Sequence, residues 1–85
     1  MNGAELIAAE RVRQKSEEGW GSRHDDEHTN GELVAAAVAY ALRASILWPW
    51  PSDFWKPTTR IRDLTKAGAL IAAEIDRLLR EEVKP

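Results

Sequence analysis

The sequence predicts an all-α fold: a compact three-helix domain with two long connectors, spanning residues 1–85 as one unit and associating as a homo-oligomer. Three observations carry this. Apolar residues recur at helical spacing in three segments, no segment alternates with the two-residue period of a strand, and the intervening stretches are rich in Gly, Pro, Asp and Trp. At 85 residues only about 60% of the unfolded surface can be buried, so the core is small.

The first helix is expected over residues 3–18. Ala4, Ala8 and Val12 fall four apart beside Leu6 and Ile7, with Glu10/Gln14 and Arg13/Glu17 pairs on the wetter side, and Gly19 ends it. The second is expected to open with a Thr29–Glu32 capping box and to run to about Leu47. Its faces are apolar nearly all round, which predicts burial on every side. The third starts at Thr58 or Thr59, just after Pro57, with Ile61, Leu64, Gly68, Ile71, Ile75 and Leu78 on one stripe. Glu74/Arg77, Asp76/Arg80 and Arg77/Glu81 form a solvated ladder opposite, and Asp63 is within reach of Lys66. Gly68 between two alanines costs roughly 0.8–1 kcal/mol of helix propensity, which implies close packing there. The nearly all-apolar second helix and the Ala67–Ala69 notch leave more apolar face than three helices can cover, hence the predicted homo-oligomer, with binding sites at or near subunit boundaries.

Composition excludes several classes. The chain has no cysteine, so disulfides and thiolate metal sites are out, and a reducing cytoplasm is the expected location. The longest apolar stretch, 33–42, is too short to cross a bilayer, and no membrane partner is expected. Twelve basic and fourteen acidic side chains give a net charge of −2, which argues against general nucleic-acid binding. An anionic ligand has to be caught locally.

The first connector, residues 19–29, carries Trp20, His24, Asp25, Asp26 and His28. Two readings compete with simple capping by acids before a helix start. If 24–28 is helical, His24 and His28 share a face and can ligate a divalent ion with Asp25 or Glu32. Alternatively, His24, Asp26 or His28 bond the hydroxyls or base edge of a nucleotide-like ligand stacked on Trp20. The second connector, residues 48–58, holds Trp48, Trp50 and Trp55, three of the four tryptophans. It runs into a helix start where Lys56, Thr59 and Arg62, with Lys66 one turn on, make an anion site beside the indoles. The competing use of each indole is to plug an alanine-rich core.

Taken together, Glu10-Arg11, Gln14, Glu18-Gly19-Trp20, His24-Asp25-Asp26-Glu27-His28, Gly31-Glu32-Leu33, Trp48-Pro49-Trp50, Trp55-Lys56-Pro57, Arg62-Asp63-Leu64, Lys66-Ala67-Gly68-Ala69-Leu70 and Ala73-Glu74-Ile75 resemble a family of small proteins encoded by phages and prophages. A lesser likeness, through Gly19-Trp20, Asp25-Asp26-Glu27 and Leu33-Val34, is to the RyR repeat of ryanodine receptors and its bacterial relatives. The chain departs from that pattern with Asn30-Gly31 and Leu33-Val34-Ala35 where prolines are called for. These resemblances imply a non-catalytic binder, needing no cofactor, that sequesters a nucleotide-derived signal in the host cytoplasm: a cyclic ADP-ribose relative or a cyclic oligonucleotide. Two other classes stay open. A metal-dependent nucleotide pyrophosphohydrolase would use carboxylate pairs such as Glu17-Glu18 and Glu81-Glu82, and a protein-interaction module would use the tryptophan patch as a hot spot.

Overall fold

Four α-helices and two single 3₁₀ turns account for the ordered backbone in a computed structural model that describes residues 1–84. Helix α1 (Gly3–Glu17) starts on Asn2, whose Oδ1 accepts the Glu5 N–H at 2.9 Å while the Glu5 carboxylate takes the Asn2 N–H at 3.0 Å. This reciprocal cap satisfies two otherwise orphaned donors. Gly19, at φ +73°, turns the chain so that the Trp20 N–H returns to the Gln14 carbonyl at 2.9 Å.

The first connector contains a helix of its own, α2 (Ser22–Asp26), so the fold has four helices rather than three. One turn is too short to nucleate alone or to show a period. It is held from outside: Asp25 takes the Arg11 guanidinium at 2.9 Å, and Asp26 takes Arg80 at 2.8 Å.

Helix α3 (Glu32–Leu42) is shorter at both ends than its pattern predicts. Gly31, at φ +83°, is the N-cap, and the Thr29–Glu32 box does not form, because the Glu32 carboxylate instead takes the Asn30 N–H at 2.6 Å. At the other end Arg43 adopts the left-handed conformation at φ +54°, and the Ala44 N–H bonds back to Ala39 at 2.9 Å. Arginine rarely adopts this conformation. Its guanidinium is anchored to the Asp63 carboxylate at 3.1 Å and the Thr58 carbonyl at 2.8 Å. Short 3₁₀ turns follow at Ser45–Leu47 and Ser52–Phe54. Helix α4 (Arg60–Glu82) begins where expected, the Thr59 hydroxyl accepting the Arg62 N–H at 3.2 Å.

The core is small and alanine-rich. Leu33, Ala36, Ala37 and Tyr40 of α3 meet Ala67, Leu70 and Ala73 of α4, and all four tryptophans pack against this cluster. A Cα radius of gyration of 12.5 Å is close to the roughly 12 Å of a compact chain of this length. α1 packs along α4, and Gly68 explains how: a Cβ there would lie 2.5 Å from the Ile7 Cδ1.

Which faces turn inward differs from the pattern. In α1 the apolar stripe is outside, with Ala4 and Ala8 exposed and Val12 at 65%, while Glu10, Arg11 and Gln14 are buried. In α4 the stripe Ile61, Leu64, Ile71, Ile75 and Leu78 faces solvent, and Asp63, Thr65, Ala67, Ala69, Leu70, Ala73 and Arg77 face in. In α3 one face is buried, but Val34 and Leu42 are exposed. Nor is the α4 ladder simply solvated: Arg77, 7% exposed, bonds Glu74 and Glu81, while Arg80 leaves Asp76 for Asp26. Asp63 pairs with Arg43, not Lys66. The interior is instead filled by alanines, Leu33 and Leu70 together with charged side chains that can be buried because they are paired, such as Glu10, Arg11, Asp25 and Asp63. Among the described residues no helix is long and apolar enough to cross a membrane.

Candidate functional site

The principal cavity, about 340 Å³, lies between α1, the tryptophan connector and the first turns of α4. Its floor is organised by Glu10. Both carboxylate oxygens are engaged by Arg13, at 2.8 Å each, Arg62 adds a bond at 2.7 Å, and the Gln14 amide donates at 3.2 Å. Burial pushes the Glu10 carboxyl up, but the hydrogen bonds and charges of Arg13 and Arg62 outweigh it and hold the group at about 2. Arg13 is in turn pushed further into its charged form, chiefly by its Glu10 hydrogen bonds.

The rim supplies the charge excess. Arg13, Lys56, Arg62 and Lys66 line the cavity against Glu10 and Glu18, leaving two more cations than carboxylates in a chain whose net charge is −2. Neither Lys56 nor Lys66 has a carboxylate partner among the described residues; Lys66 donates to the Lys56 carbonyl at 2.8 Å and sits 5.1 Å from the centre of the Tyr40 ring. Burial lowers the Lys66 pKa and raises that of Tyr40. Gln14 is 1% exposed, and its Oε1 is buried without a hydrogen-bond partner.

A second, more apolar hollow of about 240 Å³ adjoins the first, and the two share Trp20 and Phe54 as lining residues. Its other walls are His24, His28, Trp50 and Pro51. Trp20 and His24 are stacked, centroids 5.4 Å apart and planes 8° from parallel, while His28 meets Trp50 edge-on at 5.2 Å. The His28 Nδ1 lies 2.7 Å from the His24 carbonyl, which can only accept, so that nitrogen carries the proton. His24 Nδ1 faces Asp25 at 3.0 Å.

The predicted site residues thus divide. Trp20, Lys56, Arg62 and Lys66 line the charged cavity; Trp20, His24, His28 and Trp50 line the aromatic one. Trp48 and Trp55 pack on Tyr40, at 5.3 and 4.8 Å, as part of the wall behind. Asp25 is sealed against Arg11, Asp26 lies in a separate surface hollow with Arg77 and Lys84, and Thr59 is spent as the α4 cap, its neighbour Thr58 reaching the cavity instead. The Arg80 hydrogen bond lowers the pKa of Asp26. His24, His28 and Glu32 do not gather into a metal site: no group of three or more His, Asp or Glu placed to hold an ion occurs among the described residues.

Sequence reasoning missed Glu10, Arg13, Gln14, Glu18, Tyr40, Phe54 and Thr58. The available signal was the Glu10, Arg13, Gln14 spacing, which sets two charges and an amide on one α1 face opposite the basic start of α4. The chain matches no protein-family model and has no significant match among curated proteins or solved structures.

Proposed function

We propose that the protein binds a nucleotide-derived small molecule without transforming it. The planar base would lie in the aromatic hollow against Trp20 and Trp50, with the phosphates toward Lys56, Arg62 and Lys66. The observation that carries this reading is the shared wall: an aromatic hollow and a cationic cavity meet at Trp20 and Phe54, so one molecule with a flat end and an anionic end spans both. Glu10, held ionised with both oxygens already bonded, is poorly placed as a general base, which favours binding over catalysis.

In the setting the phage-like resemblance implies, the ligand is a signalling nucleotide of host defence, a cyclic ADP-ribose relative or a cyclic oligonucleotide, and binding removes it from its receptor. A homo-oligomer belongs to the same reading, because more large aliphatic side chains are exposed than buried. The pyrophosphohydrolase alternative lacks support from the carboxylates it needs: Glu18 pairs with Arg13 and Glu81 with Arg77, on different helices.

Isothermal titration calorimetry against cyclic ADP-ribose derivatives and cyclic di- and trinucleotides tests the proposal. Micromolar or tighter binding to one of them is expected, with Trp20→Ala losing about 1–3 kcal/mol of it through the missing stacking surface. No heat with any of the panel overturns it.

A further inference from the structure

We infer that the exposed apolar stripe of α4 is the contact between two copies of this chain, paired antiparallel about Ile71. Ile61, Leu64, Ile71, Ile75 and Leu78 are 43–68% exposed, and with Gly68 they are spaced alternately three and four residues apart. That spacing is what a helix presents to a second helix lying along it. It is not a by-product of a solvent-facing surface, where such a run of large aliphatic side chains is avoided. At 100° per residue the stripe lies on the side of α4 roughly opposite Arg62 and Lys66, so a partner can cover it while both cavities stay open.

Charge and symmetry identify the occupant. Arg60 and Glu82 stand at the two ends of the stripe, each eleven residues from Ile71, and neither belongs to an ion pair among the described residues. In an antiparallel pair centred on Ile71, Arg60 of each copy meets Glu82 of the other, and Leu64 meets Leu78, seven residues from the centre on either side. A parallel pair would set Arg60 against Arg60 and Glu82 against Glu82, a repulsion at both ends. At Gly68 the place a Cβ would take is filled by the Ile7 side chain of α1, so Ile7 stands beside the stripe where Ile75 of the other copy approaches.

Sedimentation velocity on the full chain, across micromolar concentrations, tests this. The expected species is a dimer of the 9.6 kDa chain. Ile71→Glu, which sets two carboxylates against each other on the symmetry axis, is expected to raise the dissociation constant at least ~100-fold. Because Ile71 is half-exposed, circular dichroism of that variant should show an unchanged helix. Should the helix be lost, the charge pair decides: Arg60→Glu alone weakens the dimer roughly 10-fold, and Arg60→Glu combined with Glu82→Arg restores it. A chain that stays monomeric, a dimer indifferent to Ile71→Glu, or a double charge reversal that fails to restore pairing overturns the inference. Nucleotide binding by the monomeric variant is a separate readout, so a failure here leaves the binding proposal to its own test.

Discussion

Glu10 and Asp25 are both buried carboxylates paired to arginines, yet they sit in opposite kinds of surroundings. Asp25 is enclosed: its partner Arg11 is nearly buried too, and the pair, with His24, fastens α2 to α1. Glu10 is open on one side, because Arg13 and Arg62 are partly exposed and form the floor of the charged cavity. Asp63 resembles Asp25, accepting the Arg43 guanidinium and the Thr58 N–H and so tying the second connector to the helices. The difference separates two uses of buried charge in one small chain. Asp25 and Asp63 hold loops in place of a large apolar core, whereas Glu10 gathers two guanidiniums at the floor of a cavity.

Breaking the enclosed pair should do the most damage. Asp25→Ala removes the nearer carboxylate from the buried Arg11 guanidinium, leaving Asp76 at 3.6 Å and the Trp20 carbonyl at 3.3 Å, next to an Nε that already has no partner. A loss of about 3–5 kcal/mol is expected, measured by urea denaturation at neutral pH. Arg11→Met combined with Asp25→Leu should recover much of it, since removing both charges removes the desolvation cost. If Asp25→Ala unfolds no more easily than the wild type, the clamp role assigned to Asp25 is wrong.

The open pair should show itself through pH. The Glu10 carboxyl titrates at about 2 in the folded chain against an ordinary value of 4.5, so as acid is added the unfolded chain takes up this proton first. Its contribution is therefore complete above about pH 5 and fades from about 4.5 down to about 2, amounting to roughly 2–3 kcal/mol. Glu10→Gln should flatten the stability profile over that window. Equal slopes for wild type and variant would show that the Glu10 pairings do not favour the folded state.

Affinity should respond on the other side of the cavity. Lys66→Met keeps the apolar stem over Tyr40 but removes a cation that no carboxylate neutralises among the described residues. Ligand binding is expected to weaken about 10-fold, with less salt dependence, while stability changes by under ~0.5 kcal/mol. A variant that binds as well as the wild type would move the anion site elsewhere.

How much of this was legible beforehand depends on the kind of signal. Thr59 and the proline before it marked the start of α4, and Gly19 marked the end of α1, because caps and breakers act locally. Three of the cavity's four cations, Lys56, Arg62 and Lys66, were legible for the same reason, standing beside aromatic mass at a helix start, whereas Arg13 on α1 was not. What the pattern misjudged was direction. Amphipathic reasoning assigns the apolar stripe to the core, but α3 supplies a core of alanines that α4 meets through Ala67, Leu70 and Ala73, while α1 packs along α4 with Glu10 and Gln14 buried. The stripe of α4 carries the right period for a partner and the wrong orientation for its own domain. Arg43 in the left-handed conformation gave no warning either, since glycine or asparagine is the usual occupant there.

The smallest expected effect concerns the one place where α1 and α4 come closest. Gly68→Ala gains roughly 0.8–1 kcal/mol of helix propensity but sets a Cβ 2.5 Å from the Ile7 Cδ1 and 2.8 Å from its Cγ1. Ile7 is only half-buried and its Cδ1 is the free end of the side chain, so it can swing outward, and the two terms should nearly cancel. Ile7→Ala removes both the Cδ1 and the Cγ1 from the contact. Gly68→Ala should then be stabilising by up to ~1 kcal/mol in the Ile7→Ala background, and the thermal midpoints of the four proteins in this cycle give the coupling directly. Additive midpoints would mean that Gly68 is not kept for the approach of α1. The glycine would then have its reason on the outer stripe, where a second copy of α4 is proposed to lie.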